Sequence, residues 1–260
     1  MGTAARRLDR LYEPGLAERV LSHMVTAVQR GTAFDEPFSH AYFEDIFPVD
    51  VYARILAALP DPDLYLPLNL KQWSRPDGTS TRDRFLLTGE NIARLDDERQ
   101  RLWSTLCWVM SHEVLKRALF HKLAATLSRR TGVPKHRVED IETHPRMLLF
   151  RDTDQYRIKP HPDGLETIAT MGFYLAPDNS QLNLGTSIYR RRSVWGTLQS
   201  GQRFEEVRRI PFRPNSAYGF AVINDRQQKS WHGVELVPGG IGVRNTILNR
   251  FVGSADDAAY

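Results

Sequence analysis

The sequence predicts an α+β fold, with helices in the first half of the chain and a β-sandwich or barrel in the second. Apolar residues recur at helical spacing in the first half, whereas short apolar runs separated by turn residues dominate from about residue 146 onwards. The length of 260 residues is enough for one or two domains. We expect the helical and β-rich regions to form one folded unit.

Amphipathic helices are predicted throughout the first half. The second begins at Pro48, a residue suited to the first helical turn, and Pro60 ends it. Residues 61–92 follow as a long irregular segment, which in a compact domain is usually functional or mobile. The helices are expected at residues 16–30, 48–59, 95–110 and 115–127.

Short strands are predicted after residue 146. Turn sequences such as Pro177-Asp178-Asn179 and Pro238-Gly239-Gly240 separate them. We expect three regions: an N-terminal helical support with a long loop (1–145), a β-rich core (146–252) and a polar tail (253–260). The strands are expected at residues 147–150, 168–175, 183–189, 208–212, 217–223 and 243–251.

Charge, hydropathy and cysteine content exclude several classes of protein. The net charge of +4, from 35 Lys and Arg against 31 Asp and Glu, is too small to indicate nucleic-acid binding. No apolar run approaches the roughly 18–20 residues of a membrane helix, and the polar start of the chain lacks a secretion signal. Cys107 is the only cysteine, which excludes an intrachain disulfide or a thiolate cluster. We therefore expect a cytoplasmic protein that binds neither nucleic acid nor membranes.

Two histidines lie in settings that suggest metal binding. His161 and Asp163 follow a strand-like segment, and alternate side chains of an extended segment leave the same side. His232 comes from a distant strand, which a folded barrel can bring close. Two imidazoles and one carboxylate on one face of an ion leave positions open, which suits non-haem iron(II) that activates oxygen. Arg244, twelve residues after His232, can grip a dicarboxylate through a bidentate pair.

These motifs resemble those of the iron(II)/2-oxoglutarate-dependent dioxygenases, in particular the prolyl 4-hydroxylase-like branch. The resemblance covers about residues 146–252, which it identifies as a catalytic core. It implies a double-stranded β-helix (a cupin-like jelly roll) with N-terminal helices bracing one sheet. The motifs are His161-Pro162-Asp163, Thr170-Met171-Gly172-Phe173-Tyr174-Leu175, Leu184-Gly185-Thr186, Trp231-His232-Gly233-Val234 and Gly242-Val243-Arg244-Asn245-Thr246.

The resemblance implies a catalytic metal site. His161, Asp163 and His232 correspond to the residues that bind Fe(II) in the family. The implied reaction uses O2 and 2-oxoglutarate, hydroxylates an unactivated C–H bond and releases succinate and CO2. Halogenating relatives carry a small residue in place of Asp163, so the aspartate implies hydroxylation or another outcome of hydrogen abstraction, such as desaturation or ring closure.

The resemblance also implies a 2-oxoglutarate site. Arg244 corresponds to the arginine that holds the far carboxylate of this cosubstrate, and Thr246, Tyr174 and Thr170 are expected beside it. Arg151 departs from the pattern, since relatives often carry a tyrosine ten residues before the first histidine.

A small-molecule substrate is expected because the chain has no accessory binding domain. Two alternatives stay open: a peptidyl hydroxylase of the same superfamily, and a non-catalytic cupin-like binding protein. Arginines suggest that the substrate is anionic, although a solvated surface would explain the densest run equally well. The candidates are Arg190, Arg191 and Arg192 after a predicted strand, and Arg75, Arg82 and Arg84 in the long irregular segment.

Overall fold

Two antiparallel sheets form the β-rich part of the computed structural model, which describes residues 12–258. The larger sheet has eight strands in the spatial order 1-2-10-7-12-5-4-3, and the smaller has four in the order 6-11-8-9. The strands are β1 (Thr32–Phe34), β2 (His40–Phe43), β3 (Leu66–Pro67), β4 (Arg82–Leu86), β5 (His144–Asp152), β6 (Ile158–His161), β7 (Thr167–Tyr174), β8 (Thr186–Arg191), β9 (Phe204–Ile210), β10 (Ser216–Ala221), β11 (His232–Val234) and β12 (Arg244–Val252).

Alternation along β12 separates the two faces of the larger sheet. Thr246 and Leu248 face the space between the sheets, whereas Ile247 and Phe251 belong to the apolar cluster on the opposite side. A second apolar cluster contains side chains from both sheets, among them Tyr218 of the larger sheet and Ile188 and Val234 of the smaller. The sheets therefore pack face to face, and they do so without closing into one continuous barrel.

Helices cover the outer face of the larger sheet. Trp103 is fully buried there, and its Nε1 donates a hydrogen bond to the Ala58 carbonyl at 2.8 Å. Asn249 of β12 donates from Nδ2 to the Met110 carbonyl at 2.7 Å, which ties the sheet to the helices. The helices are α1 (Pro14–Arg30), α2 (Val49–Ala57), α3 (Gly89–Ile92), α4 (Asp97–Ser111), α5 (Glu113–Lys122), α6 (Ala124–Thr131), α7 (Val194–Ser200) and α8 (Ala255–Ala258).

This architecture confirms the predicted α+β class and the double-stranded β-helix with helices bracing one sheet. One predicted helix, over residues 115–127, is instead two helices divided at Leu123, where φ is −108° and ψ is 10°. After the break, the Ser39 N–H donates to Thr126 Oγ1 at 2.7 Å and the Thr126 N–H donates to Ser39 Oγ at 3.0 Å. These bonds join positions far apart in the sequence, so the apolar spacing alone could not predict them.

The segment 61–92 is more regular than predicted, because it contains β3, β4 and α3. β4 pairs with β5 from Arg82 opposite Asp152 to Leu86 opposite Leu148. Its alternating charged residues do not resemble an apolar strand. Together β1 to β4 extend the larger sheet from the first half of the chain, and the division at residue 145 stays a prediction.

The chain ends are described only in part. Residues 255–258 of the predicted tail form α8, whereas residues 259–260 and the polar start of the chain lie outside the described range. Between residues 12 and 258, every helix is too short or too polar to cross a lipid bilayer.

Candidate metal centre and cosubstrate pocket

A cavity of about 170 Å³ lies between the two sheets. The smaller sheet contributes His161 from β6 and His232 from β11, and the larger sheet contributes Thr170 from β7 and Arg244 from β12. Apolar and aromatic side chains form most of the remaining wall. A concave, mainly apolar pocket with a few convergent polar groups is typical of a binding or active site.

His161 and His232 lie directly opposite each other on the neighbouring strands β6 and β11. Their ring centroids are 4.4 Å apart. The Nδ1 atom of His161 is 3.1 Å from the Lys159 carbonyl oxygen, and that of His232 is 2.9 Å from the Ser230 carbonyl oxygen. A carbonyl oxygen can only accept a hydrogen bond, so each Nδ1 carries the proton. In the neutral form of each ring, the lone pair is then on Nε2, where it can bind a metal ion.

Asp163 completes the group from the segment after β6. Its Oδ1 lies 3.6 Å from the Nε2 atom of each histidine, His161 and His232. Thr170 Oγ1 donates a hydrogen bond to the other carboxylate oxygen at 3.2 Å. One ligand atom from each residue lies within 4.8 Å of the other two. Two imidazole nitrogens and one carboxylate oxygen fit iron(II) with positions left open.

Burial and mutual contact set the charges of the group. Burial lowers the pKa of His232 to about 4, against the opposing effect of Asp163. Burial also acts to raise the pKa of Asp163, but its interactions with His232 and His161 outweigh that effect and hold the pKa below its usual range. A neutral imidazole beside an ionised carboxylate is the state that metal ligation requires.

Arg244 begins β12 and is almost completely buried in the cavity wall. Its Nε donates to the Leu184 carbonyl and its Nη1 donates to Asp152 Oδ2, both at 2.7 Å. Burial acts to lower the pKa of Arg244, but Asp152 together with Tyr174, Tyr156 and Tyr218 outweighs burial and raises it. Within residues 12–258, no protein acceptor binds Nη2, so this nitrogen is available to a carboxylate of a ligand.

A second buried arginine shares Asp152. Arg82 Nε lies 3.3 Å from Asp152 Oδ1, its Nη1 donates to the Tyr156 hydroxyl, and its guanidinium lies 3.7 Å from the centre of the Phe150 ring. Arg82 and Tyr156 both line the cavity. The sequence analysis missed Asp152 and Tyr156 and considered Arg82 only as a residue of an irregular loop. Strand register places Arg82 and Arg244 on either side of Asp152. The spacing of residues within one segment contains no signal for this arrangement.

The other predicted cosubstrate residues differ in whether their hydroxyl groups are free to contact a ligand. Thr170 and Thr246 line the cavity, and Thr246 Oγ1 is buried without a hydrogen-bond partner among the described residues. Tyr174 is fully buried beside Arg244, and its hydroxyl accepts from the Thr186 N–H at 2.9 Å and donates to the Ile210 carbonyl at 3.4 Å. Backbone groups therefore occupy the Tyr174 hydroxyl, whereas the Thr246 hydroxyl is available to a ligand.

Thr186 is a cavity residue that the sequence analysis did not select. It lines the cavity, and its Oγ1 is buried without a partner among the described residues. It belongs to the motif Leu184-Gly185-Thr186, which supported the family resemblance, but the sequence assigned its hydroxyl group no role.

The arginine run at the end of β8 lies at the surface. Arg190 and Arg191 are exposed, Arg190 lies opposite Glu205 of β9, and Arg192 Nη1 is 3.9 Å from the same carboxylate. Arg75 bonds to Thr153, Asp154 and the adjacent turn.

Arg151 does not line the cavity. On β5 it alternates with the cavity residue Phe150, and its Nη1 lies 3.4 Å from Asp83 Oδ2.

No family model matches the sequence, and no curated protein matches it. Solved structures do match. A prolyl-4-hydroxylase from Pseudomonas putida is 11% identical, the match covers 90% of this chain and 100% of that one, and the TM-score is 0.50. The chain has the prolyl-4-hydroxylase fold.

Two further structures show lower similarity. An oxidoreductase of the 2OG-Fe(II) oxygenase family from Burkholderia pseudomallei is 10% identical over 90% of both chains, with a TM-score of 0.46. The viral collagen prolyl hydroxylase of Paramecium Bursaria Chlorella virus-1 is 9% identical over 83% of this chain and 96% of that one, with a TM-score of 0.44. On this fold, His161, Asp163, His232 and Arg244 all face one cavity.

Proposed function

We propose that the protein is an iron(II)- and 2-oxoglutarate-dependent oxygenase that hydroxylates an unactivated C–H bond. The observation that carries this proposal is the convergence of His161, Asp163 and His232 in the same cavity as the buried Arg244. A structural ion pair alone would not require two histidines with their Nε2 atoms turned to one carboxylate. A metal ion and a dicarboxylate together account for both groups.

Three residues hold the metal ion and a fourth positions one of them. His161, Asp163 and His232 bind the metal ion, and Thr170 orients the carboxylate of Asp163 through its hydrogen bond. When bound, iron(II) and 2-oxoglutarate supply the oxygen activation that breaks a C–H bond.

Arg244 holds the far carboxylate of 2-oxoglutarate. Its Nη2 is the donor that the protein leaves open, and Asp152 keeps the guanidinium oriented. Thr246 adds a buried hydroxyl that has no hydrogen-bond partner within residues 12–258.

The size of the cavity favours a small-molecule substrate that enters only in part. Its volume of about 170 Å³ lies below the several hundred Å³ typical of pockets that enclose a drug-sized ligand. With 2-oxoglutarate inside, the cavity admits only the reacting end of the substrate. The rest of the substrate lies toward the mouth of the cavity. A substrate screen therefore tests peptides as the second class of substrate.

Anaerobic reconstitution followed by oxygen exposure tests the proposal. Purified protein with Fe(II) and 2-oxoglutarate is expected to form succinate in an oxygen-dependent manner, and a matching substrate increases the yield. Asp163→Ala is expected to abolish succinate formation, whereas the exposed His136→Ala leaves it unchanged. Absence of succinate from protein that binds both iron and 2-oxoglutarate would favour the non-catalytic alternative.

A further inference from the structure

Arg82 and Arg244 are the two ends of a row of three charged side chains across the larger sheet. Asp152 of β5 lies between them, opposite Arg82 of β4 on one side and Arg244 of β12 on the other. Because the two arginines are two strand spacings apart, their backbones are separated by roughly 10 Å. Both are almost completely buried, and both line the cavity between the sheets. Two buried guanidinium groups therefore share one end of this cavity.

The guanidinium of Arg82 has few partners within the protein. Its Nη1 donates to the Tyr156 hydroxyl, and within residues 12–258 the guanidinium makes no other hydrogen bond. Its Nε lies 3.3 Å from Asp152 Oδ1, but both atoms are buried without a hydrogen-bond partner among the described residues. The ion pair with Asp152 therefore offsets the charge of Arg82 and leaves most of its five N–H donors without an acceptor.

The Tyr156 hydroxyl can also donate to a ligand. Tyr156 is fully buried, lines the cavity and accepts the hydrogen bond from Arg82, whereas its own hydroxyl hydrogen has no acceptor among the described residues. Burial raises the pKa of Tyr156, and the positive charges of Arg82 and Arg244 both oppose that rise. The hydroxyl thus stays protonated, and it lies within the electrostatic reach of both guanidinium groups.

Aromatic rings surround the guanidinium of Arg82 and keep water away from it. Its central carbon lies 3.7 Å from the centre of the Phe150 ring, 4.9 Å from that of Tyr156 and 5.6 Å from that of Trp73. Cation–π contacts of this kind hold a guanidinium in place but satisfy none of its N–H groups. Burying such donors without acceptors is unfavourable. An anion in the cavity would supply the missing acceptors.

We propose that Arg82 and Tyr156 join Arg244 in binding the far carboxylate of 2-oxoglutarate. A carboxylate offers about four acceptor positions on its two oxygens, which is enough for donors from both arginines and the hydroxyl. Asp152, fully buried between the arginines, orients both of them. This inference rests on the proposed function and deepens it, because it adds two residues to the cosubstrate site.

The chemical class of the cosubstrate follows from this arrangement. A 2-oxo acid without a second carboxylate would leave the donors of Arg82, Tyr156 and Arg244 buried and unpaired, and a site of unpaired polar groups rejects such an analogue strongly. We therefore expect the site to discriminate between 2-oxoglutarate and 2-oxopentanoate, in which a methyl group replaces the far carboxylate.

Calorimetric titration of the anaerobic, Fe(II)-loaded protein with these two ligands tests the proposal without turnover. Arg82→Gln is expected to weaken 2-oxoglutarate binding at least about tenfold, since it removes one partner of a charge-assisted pair. It should leave 2-oxopentanoate binding unchanged. Tyr156→Phe is expected to weaken 2-oxoglutarate binding about fivefold, as the loss of one hydrogen bond does. Arg151→Gln is the matched control, because it removes an arginine of β5 that pairs with Asp83 outside the cavity.

A second pair of variants distinguishes contact with the ligand from an effect through Asp152. If Arg82 only balanced the charge of Asp152, its replacement would have no effect on 2-oxoglutarate binding once Asp152→Asn had removed that charge. We expect the tenfold loss to persist in the Asp152→Asn background. Iron affinity, measured in every variant, shows whether the cavity is still folded. Arg82→Lys keeps a charge beside Asp152, so it is expected to fold and to bind 2-oxoglutarate with intermediate affinity.

Three results would overturn the inference and leave the proposed function intact, provided that the parent forms succinate. Arg82→Gln and Arg82→Lys bind 2-oxoglutarate as the parent does; or Arg82→Gln weakens both ligands equally, which indicates a general disturbance of the cavity; or its effect vanishes in the Asp152→Asn background. A parent that binds no 2-oxoglutarate overturns both proposals. A parent that binds 2-oxoglutarate through Arg82 but forms no succinate contradicts the proposed function alone.

Discussion

Two backbone carbonyls determine how the metal-ligating histidines can act. The Lys159 and Ser230 carbonyls each accept from Nδ1 of the histidine two residues later, so in the neutral form of each ring the lone pair lies on Nε2. Rotation of either ring would break its carbonyl bond. The donor set is therefore oriented before any ion arrives, and that orientation lowers the entropic cost of binding.

Removal of one imidazole is expected to weaken metal binding strongly. His232→Ala leaves one imidazole and Asp163, and we expect the affinity for Fe(II) to fall at least about tenfold, since even changes outside the ligand set reach that magnitude. Anaerobic metal titration measures this. His136→Ala, at an exposed position, serves as the control. Equal iron affinity in His232→Ala and the parent would remove His232 from the site.

Loss of Arg244 is expected to affect 2-oxoglutarate and spare the metal ion. Truncating one partner of a buried charge pair costs roughly 2–5 kcal/mol, so Arg244→Leu should weaken 2-oxoglutarate binding by more than tenfold with iron binding nearly intact. Arg244→Lys keeps a charge beside Asp152 but loses the planar fork, and we expect an intermediate affinity. Calorimetric titration distinguishes the variants. An unchanged 2-oxoglutarate affinity in both would contradict the role of Arg244.

The last turn of α6 holds the segment that carries Asp163. Arg130 Nη1 donates to the carbonyls of Thr167 and Val222 at 2.5 and 2.7 Å, and its Nη2 donates to the Leu165 carbonyl at 2.5 Å. Leu165 and Thr167 lie between Asp163 and the body of β7. The helical layer thus anchors the loop that carries Asp163 from outside the larger sheet.

Arg130→Gln is expected to lower the metal affinity without touching a ligand. Loss of three carbonyl contacts loosens residues 164–167, and we expect a reduction of about tenfold in Fe(II) affinity, as for other supporting contacts. Hydrogen exchange of the Thr167 amide should accelerate in the same variant. Arg129→Gln is a matched control, because within residues 12–258 the side chain of Arg129 hydrogen-bonds to the exposed side chains of Asp225 and Gln227 and to no backbone carbonyl. Identical effects of the two substitutions would refute the anchoring role.

Patterns within a single stretch of sequence were enough to predict some helices and some of the cavity residues. Apolar spacing located α1, and His161-Pro162-Asp163 with His232 and Arg244 located residues that share one cavity. Strand pairing between distant segments was not predictable in this way. The alignment of Arg82 with Asp152, and of Arg146 with Arg250, arises only when β4, β5 and β12 come together. The hydrogen bonds between Thr126, just after the break at Leu123, and Ser39 likewise join distant segments.

Two apolar clusters share the larger sheet as their common wall. One lies between the sheet and the helices, and the other lies between the two sheets. Leu119 of α5 packs so closely on Gly219 that an added Cβ there would lie 2.6 Å from its Cδ1 atom. Both clusters become exposed to water when the larger sheet unfolds, so we expect helices and strands to unfold in one transition.

Buried His40 makes the stability of the fold depend on pH. Burial lowers the pKa of His40, whose Nδ1 lies 2.8 Å from the Phe38 carbonyl oxygen. The native protein therefore binds fewer protons than the unfolded chain just below the ordinary histidine pKa of about 6.5. The stability that depends on neutral His40 is complete above that pH and is lost as the pH falls toward the lowered value.

Denaturant unfolding at pH 8 and pH 5 measures this dependence. The parent should lose more free energy of unfolding over this range than His40→Leu, by no more than about 1.4 kcal/mol per pH unit for one proton. His136→Leu, at an exposed position, should retain the parental slope. The same slope in all three proteins would show that His40 has no part in it.

Under the proposed function, the pairing of His161 with His232 would make a bound metal ion a cross-link between strands as well as a catalyst. β6 is the edge strand of the smaller sheet and contains only four residues, so few backbone bonds secure it. An ion held by both histidines ties β6 to β11 across about 70 residues of intervening chain, and closing so long a loop in the unfolded ensemble is costly. Chelation should therefore release β6 first and expose it to proteases, and iron supply would then control the lifetime of the protein as well as its chemistry.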